Sequence, residues 1–260
     1  MQAFPPPQGL QGATLILPVV AVGNVAQLAA DLLINTLRLD RTARLEDDLL
    51  LPCVGGIAYD HVPGLATAME LYQPRGGGGS VAVVQQRAAA APGTQDAFAQ
   101  RMAAFVKQSG VKEVLVLGSI EASSRRDAQL VGPQLRCWAP DADGGGSGLL
   151  HRCEAAAPGG VPPLEPGLLE EWPLEQRLLP PWPLLRHLCQ LGVPCAAILS
   201  FSTEGDNLGD AFVMAAAAAA AAGLDEGAAS GGEAAAGPAG REWVPPRSWQ
   251  SVYGASAAVY

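Results

Sequence analysis

Two carboxylates, Glu204 and Asp206, stand two residues apart in the segment STEGDN, residues 202–207. The segment follows an apolar run and precedes a helical pattern, which is where α/β proteins place ligand-binding loops. Carboxylates in such a loop could bind a metal or act as a general base. The simpler interpretation, which we prefer, is structural: Gly205 makes the turn, and Asp206 or Asn207 caps the alanine-rich helix that follows.

A hydroxyl that could act as a nucleophile, Ser119, follows Gly118 at another predicted strand-to-helix turn, and Gly23 occupies a third. None of these turns contains GxGxxG, GxxxxGK[ST] or GxSxG, so phosphate binding and a nucleophile elbow have little support. A glycine that permits a tight turn is the preferred explanation. Ser119, Glu204 and Asp206 together define an alternative function, a phosphorylase-like or hydrolase-like α/β enzyme.

Histidine and cysteine recur two residues apart, as His151 with Cys153 and as His187 with Cys189, while His61 stands alone. Two such pairs could in principle bind zinc. The first pair, however, lies in a low-complexity region, and the second lies on a predicted helix, where residues i and i+2 do not face each other. We therefore predict neither a metal site nor a cofactor.

The composition limits the classes of partner. The 260 residues carry a formal net charge of −9, and the sequence pI is near 4.8. Nucleic acids and anionic membranes require clustered Lys and Arg, so both are disfavoured as partners. The five cysteines are odd in number and form no CxxC pair, and residues 1–12 do not resemble a secretory signal. These features predict free thiols in a reducing compartment inside the cell.

Hydrophobic periodicity predicts the elements that position these residues. The predicted strands are Thr14–Val20, Leu49–Val54, Val81–Gln86, Glu113–Leu117 and Ala196–Phe201. The predicted helices are Val25–Leu37, Gln95–Gln108 (with Thr94 as a cap), Pro183–Leu191 and Leu208–Ala222. Short apolar strands that alternate with helices indicate a layered α/β fold with a largely parallel central sheet flanked by helices.

The domain organisation follows from where this periodicity stops. We predict one α/β domain over residues 13–260, preceded by an N-terminal tail, residues 1–12. Two segments rich in Ala, Gly and Pro, residues 141–167 and 224–240, are predicted to be low-complexity loop insertions. Their composition buries too little apolar surface to offset the entropy of the chain.

The first predicted helix is unusually apolar. Asn24 precedes it as a potential cap, and Gln27 stands where a capping-box partner belongs. Its apolar residues form one broad stripe at helical spacing. A helix of this kind must bury more than one side, either deep in the fold or against another subunit.

The end of the sequence has two features of interest. Trp243 and Trp249 are predicted to anchor a segment on the domain. The last residues, Ala258, Val259 and Tyr260, are small and then aromatic. They could form a frayed terminus or a short peptide that enters a pocket of a partner protein.

Three separated blocks resemble one family. VGNVAQLAADLLINTL (22–37), SFSTEGDN (200–207) and PRSWQSVYG (246–254) are similar in order and approximate spacing to motifs of the proteasome assembly chaperone 2 family. The resemblance implies a distantly phosphorylase-like α/β fold and a non-catalytic role in the cytoplasm and nucleus.

The same resemblance implies specific partners. Members of this family pair with the homologous proteasome assembly chaperone 1, and the heterodimer binds the outer face of the proteasome α-ring. It promotes ring formation and prevents off-pathway association. The resemblance also implies that a C-terminal hydrophobic-Tyr-any motif enters pockets between α-subunits. Here Tyr260 is the last residue rather than the second to last, so Ala258, Val259 and Tyr260 match that motif only approximately.

Overall fold

The computed structural model describes residues 1–76, 79–140, 147–156, 160–224, 235–236 and 242–249. Within these residues the strands are β1 (Gln2–Phe4), β2 (Thr14–Pro18), β3 (Asp40–Glu46), β4 (Val54–Gly56), β5 (Leu65–Thr67), β6 (Met69–Gln73), β7 (Val81–Gln86), β8 (Glu113–Glu121), β9 (Leu135–Trp138), β10 (Cys195–Ser202), β11 (Ala235–Ala236) and β12 (Glu242–Trp243). The helices are α1 (Val25–Thr36), α2 (Gln95–Ser109), α3 (Ser147–Glu154), α4 (Leu168–Glu171), α5 (Leu174–Arg177), α6 (Trp182–Gln190) and α7 (Leu208–Ala221). None of the helices so described is both long and apolar enough to span a membrane.

Eight strands form one sheet in the order β1-β3-β6-β7-β2-β8-β10-β9. The four central strands, β7, β2, β8 and β10, are parallel, and the pairs toward both edges are antiparallel. One apolar core joins the sheet to α1, α3 and α7, and a second joins its other face to α2 and α6. The predicted layered α/β fold with a largely parallel central sheet is therefore confirmed.

The antiparallel part of the sheet differs most from the prediction. The predicted strand Leu49–Val54 is wrong, because Leu50 forms only an isolated bridge with Ala90. Strands β3 and β6 were not predicted at all, since charged residues interrupt their apolar pattern. Glu70 in β6 is fully buried, and its Oε1 lies 2.7 Å from a guanidinium nitrogen of Arg41 in β3. A buried charge with a paired partner can occupy a strand position that hydrophobicity alone excludes.

Two segments predicted to lie outside the core contribute to the fold. Residues 1–12 are not a tail outside the fold, because β1 pairs with β3. The 141–167 segment contains α3, in which Leu149 and Cys153 are buried. Its later part covers the outer edge of β9: Cys137 N donates to Pro162 O at 2.9 Å. An uncovered sheet edge leaves backbone groups unpaired, which explains why this stretch is ordered. Most of the 224–240 segment lies outside the described residues.

Candidate functional site

The helix α1 is largely buried within its own chain. Ten of its twelve residues are buried, and Leu32, Leu33 and Ile34 are completely so. The helix packs on β2, β7 and β8 of the sheet and also contacts α7 and β12. The second apolar side of α1 therefore serves the core of this chain. The sequence had left open whether it would be buried there or against another subunit.

The loop before α1 and the loop before α7 form one hydrogen-bonded junction. The side-chain Nδ2 of Asn207 donates to Gly23 O at 3.2 Å, to Thr203 O at 2.9 Å and to Gly205 O at 3.2 Å. In the other direction, Gly23 N donates to a carboxylate oxygen of Glu204 at 3.4 Å. Parts of two of the three sequence blocks described above thus belong to a single structural unit, which we call the loop junction (residues 21–24 and 203–207).

The helix caps are partly as predicted. Asp206 Oδ1 accepts from Leu208 N at 3.1 Å and so caps α7, whereas the Asn207 side chain is used in the loop junction. Asn24 and Thr94 occupy the N-cap positions of α1 and α2, as predicted, but neither side chain makes a cap hydrogen bond. Asn24 has φ of 54° and no side-chain cap bond, because the main chain turns there in the left-handed region. The Thr94 hydroxyl instead donates to Ala91 O at 2.8 Å.

The residues of the enzyme alternative are not gathered around one cavity. Ser119 is buried in β8 and lines a cavity of about 230 Å³ at the carboxyl end of the parallel strands. Glu204 and Asp206 are exposed and do not line that cavity. Glu204 contacts the main chain of Gly23, and Asp206 caps a helix. Both carboxylates therefore have structural roles in the geometry observed.

The histidine–cysteine pairs are also separated by the fold. His151 is exposed beside Glu154, while Cys153 points into the core. His187 Nε2 lies 2.9 Å from an Asp96 carboxylate oxygen, which connects α6 to α2. In the part of the chain that the structure describes, no three His, Cys, Asp or Glu side chains are grouped to hold a metal.

The segment directly before the third sequence block is anchored on the C-terminal end of α1. Asn35 Nδ2 donates to Val244 O at 2.9 Å, and Val244 N donates to the Thr36 hydroxyl at 3.0 Å. Trp243 is fully buried and Trp249 nearly so, which confirms their predicted anchoring role. Residues 258–260, which hold the predicted partner-binding side chains Ala258, Val259 and Tyr260, lie outside the described residues.

The sequence did not reveal a buried polar cluster beneath α1. Asp31 Oδ1 accepts hydrogen bonds from Tyr59 Oη at 2.5 Å, from Gln85 Nε2 at 2.6 Å and from an Arg87 guanidinium nitrogen at 2.9 Å. Burial, followed by the charge of Asp31, raises the pKa of Tyr59 well above its usual value, so its hydroxyl remains a donor. The only signal in the sequence was one carboxylate within an apolar helix.

Burial divides the five cysteines into reactive and protected groups. Burial raises the pKa of Cys137 to about 11 and that of Cys153 and Cys195 to about 12, whereas Cys53 is exposed and Cys189 half-buried. The thiolate is the reactive form of cysteine. We expect a maleimide at pH 7.5 to modify Cys53 first and the three buried thiols only after denaturant is added, as measured by mass spectrometry.

The control for the maleimide experiment is Cys53→Ser, which should abolish the fast phase of labelling. Modification of Cys153 at the rate of Cys53 in the native protein would contradict the packing of α3 against the sheet.

Comparison with known proteins reveals relatives along nearly the whole chain. A model of the PAC2 family matches residues 15–222. A Danio rerio protein named proteasome assembly chaperone 2 is 32% identical over 253 residues, which cover 94% of this chain and 92% of that protein. A Nematostella vectensis protein of the same name is 34% identical over 210 residues, covering 77% of this chain and 85% of that one.

Two solved archaeal structures share the fold. Pyrococcus furiosus PbaB, described as a proteasome activator, superposes with a TM-score of 0.61 at 18% identity and covers 86% of this chain and 88% of its own. PbaA from the same organism, described as a homolog of proteasome-assembly chaperone, has a TM-score of 0.59 at 15% identity, with 86% of each chain covered. At these identities the likeness concerns the fold alone.

Proposed function

Because this chain belongs to the PAC2 family, we propose that it is an assembly chaperone of the 20S proteasome. The observation that carries the proposal is the similarity over 94% of the chain to a protein named proteasome assembly chaperone 2. In finer detail, we propose that it forms a heterodimer with proteasome assembly chaperone 1. That heterodimer would bind the outer face of the α-ring, promote its formation and prevent off-pathway association.

The arrangement of the site supports binding over catalysis. Glu204 and Gly23 stabilise the loop junction, and Ser119 lines a cavity to which neither predicted carboxylate contributes. General acid–base and nucleophilic mechanisms require their groups to lie within hydrogen-bond reach of one substrate position. The proposed role is therefore that of a binding protein, not a phosphorylase-like or hydrolase-like enzyme.

The proposed location is the cytoplasm and nucleus. All five cysteines lie within the described residues, and all are free thiols. Free thiols are typical of compartments in which glutathione and thioredoxin keep cysteine reduced.

Binding of the C-terminal residues to the α-ring can be tested separately from pairing with the homologous chaperone. Deletion of Ala258–Tyr260 is expected to weaken binding to assembled α-rings about tenfold, as estimated for the loss of a short inserted peptide. Pairing should be unchanged, because Trp243 and Trp249 anchor the chain before the deleted residues. Ring affinity would be measured by surface plasmon resonance, and pairing by size-exclusion chromatography after co-expression with the homologous chaperone. Unchanged ring affinity would show that these residues are only a terminus.

A further inference from the structure

Two cavities adjoin at the carboxyl end of the parallel strands. The first, the apolar cavity, has a volume of about 200 Å³ and lies between α2 and α6. The second, the serine cavity, is the space of about 230 Å³ beside Ser119. Val20, Leu179 and Pro180 line both. Leu179, in the wall that the two cavities share, is 51% exposed. We call the pair the groove.

The two cavities differ in chemistry. Carbon atoms dominate the walls of the apolar cavity, whose side chains include Leu17, Val19, Phe98, Ala99, Met102 and Leu184. The serine cavity also has aromatic walls, and its side chains include Ser119, Glu121, Trp172, Gln176, Leu179 and Trp182. The groove therefore offers an apolar pocket next to a pocket that combines aromatic and polar groups.

Two residues that line the serine cavity, Ser119 and Trp172, carry buried side-chain donors. Ser119 is 5% exposed and Trp172 7% exposed. Neither Ser119 Oγ nor Trp172 Nε1 has a hydrogen-bond partner among the described residues. Buried polar groups in folded proteins are nearly always paired, and an unpaired donor destabilises the fold. A ligand with carbonyl oxygens in this cavity would satisfy both donors.

Charge and size narrow the class of ligand. Glu121 is the only charged side chain among the residues that line either cavity. The groove has no Lys or Arg in its walls, and the whole chain carries a net charge of −9. Both features disfavour the binding of phosphates and carboxylates. The two cavities, of about 200 and about 230 Å³, share part of their walls, so the groove suits a ligand that places one group in each. Each is large enough for one side chain.

From these observations we infer that the groove binds an extended segment of a partner protein. An aliphatic side chain of that segment enters the apolar cavity, main-chain carbonyl oxygens accept from Ser119 and Trp172, and a lysine or arginine faces Glu121. Leu174 and Leu178, which lie near the lining residues Gln176 and Leu179 in the sequence, are 61% and 45% exposed, and exposed apolar side chains beside a pocket are typical of protein-binding surfaces. The inference does not depend on which protein supplies the segment, so it can fail without affecting the proposed function.

The test begins with a phage-displayed library of random 12-residue peptides selected on the full chain. Enriched peptides should share an apolar residue with a lysine or arginine close by. One of them, synthesised with acetyl and amide ends, would be titrated while the tryptophan fluorescence of the chain, to which Trp172 and Trp182 contribute, is followed. Ala99→Leu fills the apolar cavity and should weaken binding at least tenfold. Ala97→Leu, the same change on the exposed side of α2, should leave binding unchanged.

Two further variants test the serine cavity and do not depend on the stability of Ala99→Leu. Ser119→Ala should weaken peptide binding about fivefold, as expected for one lost neutral hydrogen bond. Its thermal midpoint should stay the same or rise, since Ser119 Oγ has no partner in the described parts of the fold. Glu121→Gln should weaken binding at low salt and have less effect at high salt. The inference is overturned if no peptide is enriched, or if the selected peptide binds Ser119→Ala and Glu121→Gln as tightly as the unaltered chain.

Discussion

Replacement of Asp31 by alanine is expected to lower the free energy of unfolding by about 3–5 kcal/mol, the usual cost of breaking a buried ion pair. The guanidinium of Arg87, 2.9 Å from Asp31 Oδ1, would be left without its counter-charge. The hydroxyl of Tyr59 and the amide of Gln85 would lose their acceptor as well. Urea unfolding followed by circular dichroism measures the effect.

A neighbouring carboxylate and a double variant serve as controls for Asp31. Asp60→Ala removes an exposed carboxylate next to Tyr59 and should change stability by less than about 0.5 kcal/mol. Asp31→Ala combined with Arg87→Met removes both charges and should recover part of the loss, because no unpaired charge remains buried. A loss below about 1 kcal/mol for Asp31→Ala alone would show that the cluster contributes little to the stability of the fold.

Gly23→Ala is expected to cost about 3 kcal/mol, from left-handed backbone strain together with overpacking. Gly23 has φ of +69°, and a Cβ there would lie 2.6 Å from Asn207 Nδ2 and 2.8 Å from Thr203 O. The second of these is a main-chain atom, so relief requires the loop junction to open. The hydrogen bonds that join the two loops would be lost with it.

Gly12 provides the matched control for Gly23. It has φ of +78°, and a Cβ there would have no atom within 4 Å. Gly12→Ala should therefore show only the backbone strain, about 1 kcal/mol. The difference between the two variants, measured by thermal and urea unfolding, isolates the contribution of the loop junction. Equal effects at the two positions would mean that the close approach of Asn207 to Gly23 does not matter.

The sequence predicted those elements that are governed by hydrophobic pattern. Strand β7 was predicted at its observed bounds, and the four predicted helices end within about one residue of the observed ones. Helices α1, α2 and α6 each have an apolar face, and α7 is largely a run of alanines, the strongest helix former. Strand β3 was missed because charged residues interrupt its apolar pattern. Its partner in β6, Glu70, is buried through pairing with Arg41, and such pairing depends on contacts that no local window contains.

The loop junction also combines features that the local sequence predicts with contacts that it does not. Both halves of the loop junction stood out in the sequence, since glycine, asparagine and paired carboxylates are typical of turns. Their meeting depends on the Asn207 amide, which donates to main-chain oxygens of both loops, and on Glu204, which accepts from Gly23 N; main-chain partners carry no sequence signal. The surroundings of Ser119 could not be predicted from the sequence either, because Trp172, which lines the same cavity, lies far along the chain.

The central claim is that this chain assists proteasome assembly, and affinity purification followed by mass spectrometry tests it most directly. The chain would be tagged, expressed in cells of its source, and compared with an unrelated tagged protein of similar size and charge. The account predicts that proteasome α-subunits and a homologous chaperone are enriched together, and that β-subunits are recovered in smaller amounts. Recovery of neither α-subunits nor a homologous partner above the control would contradict it.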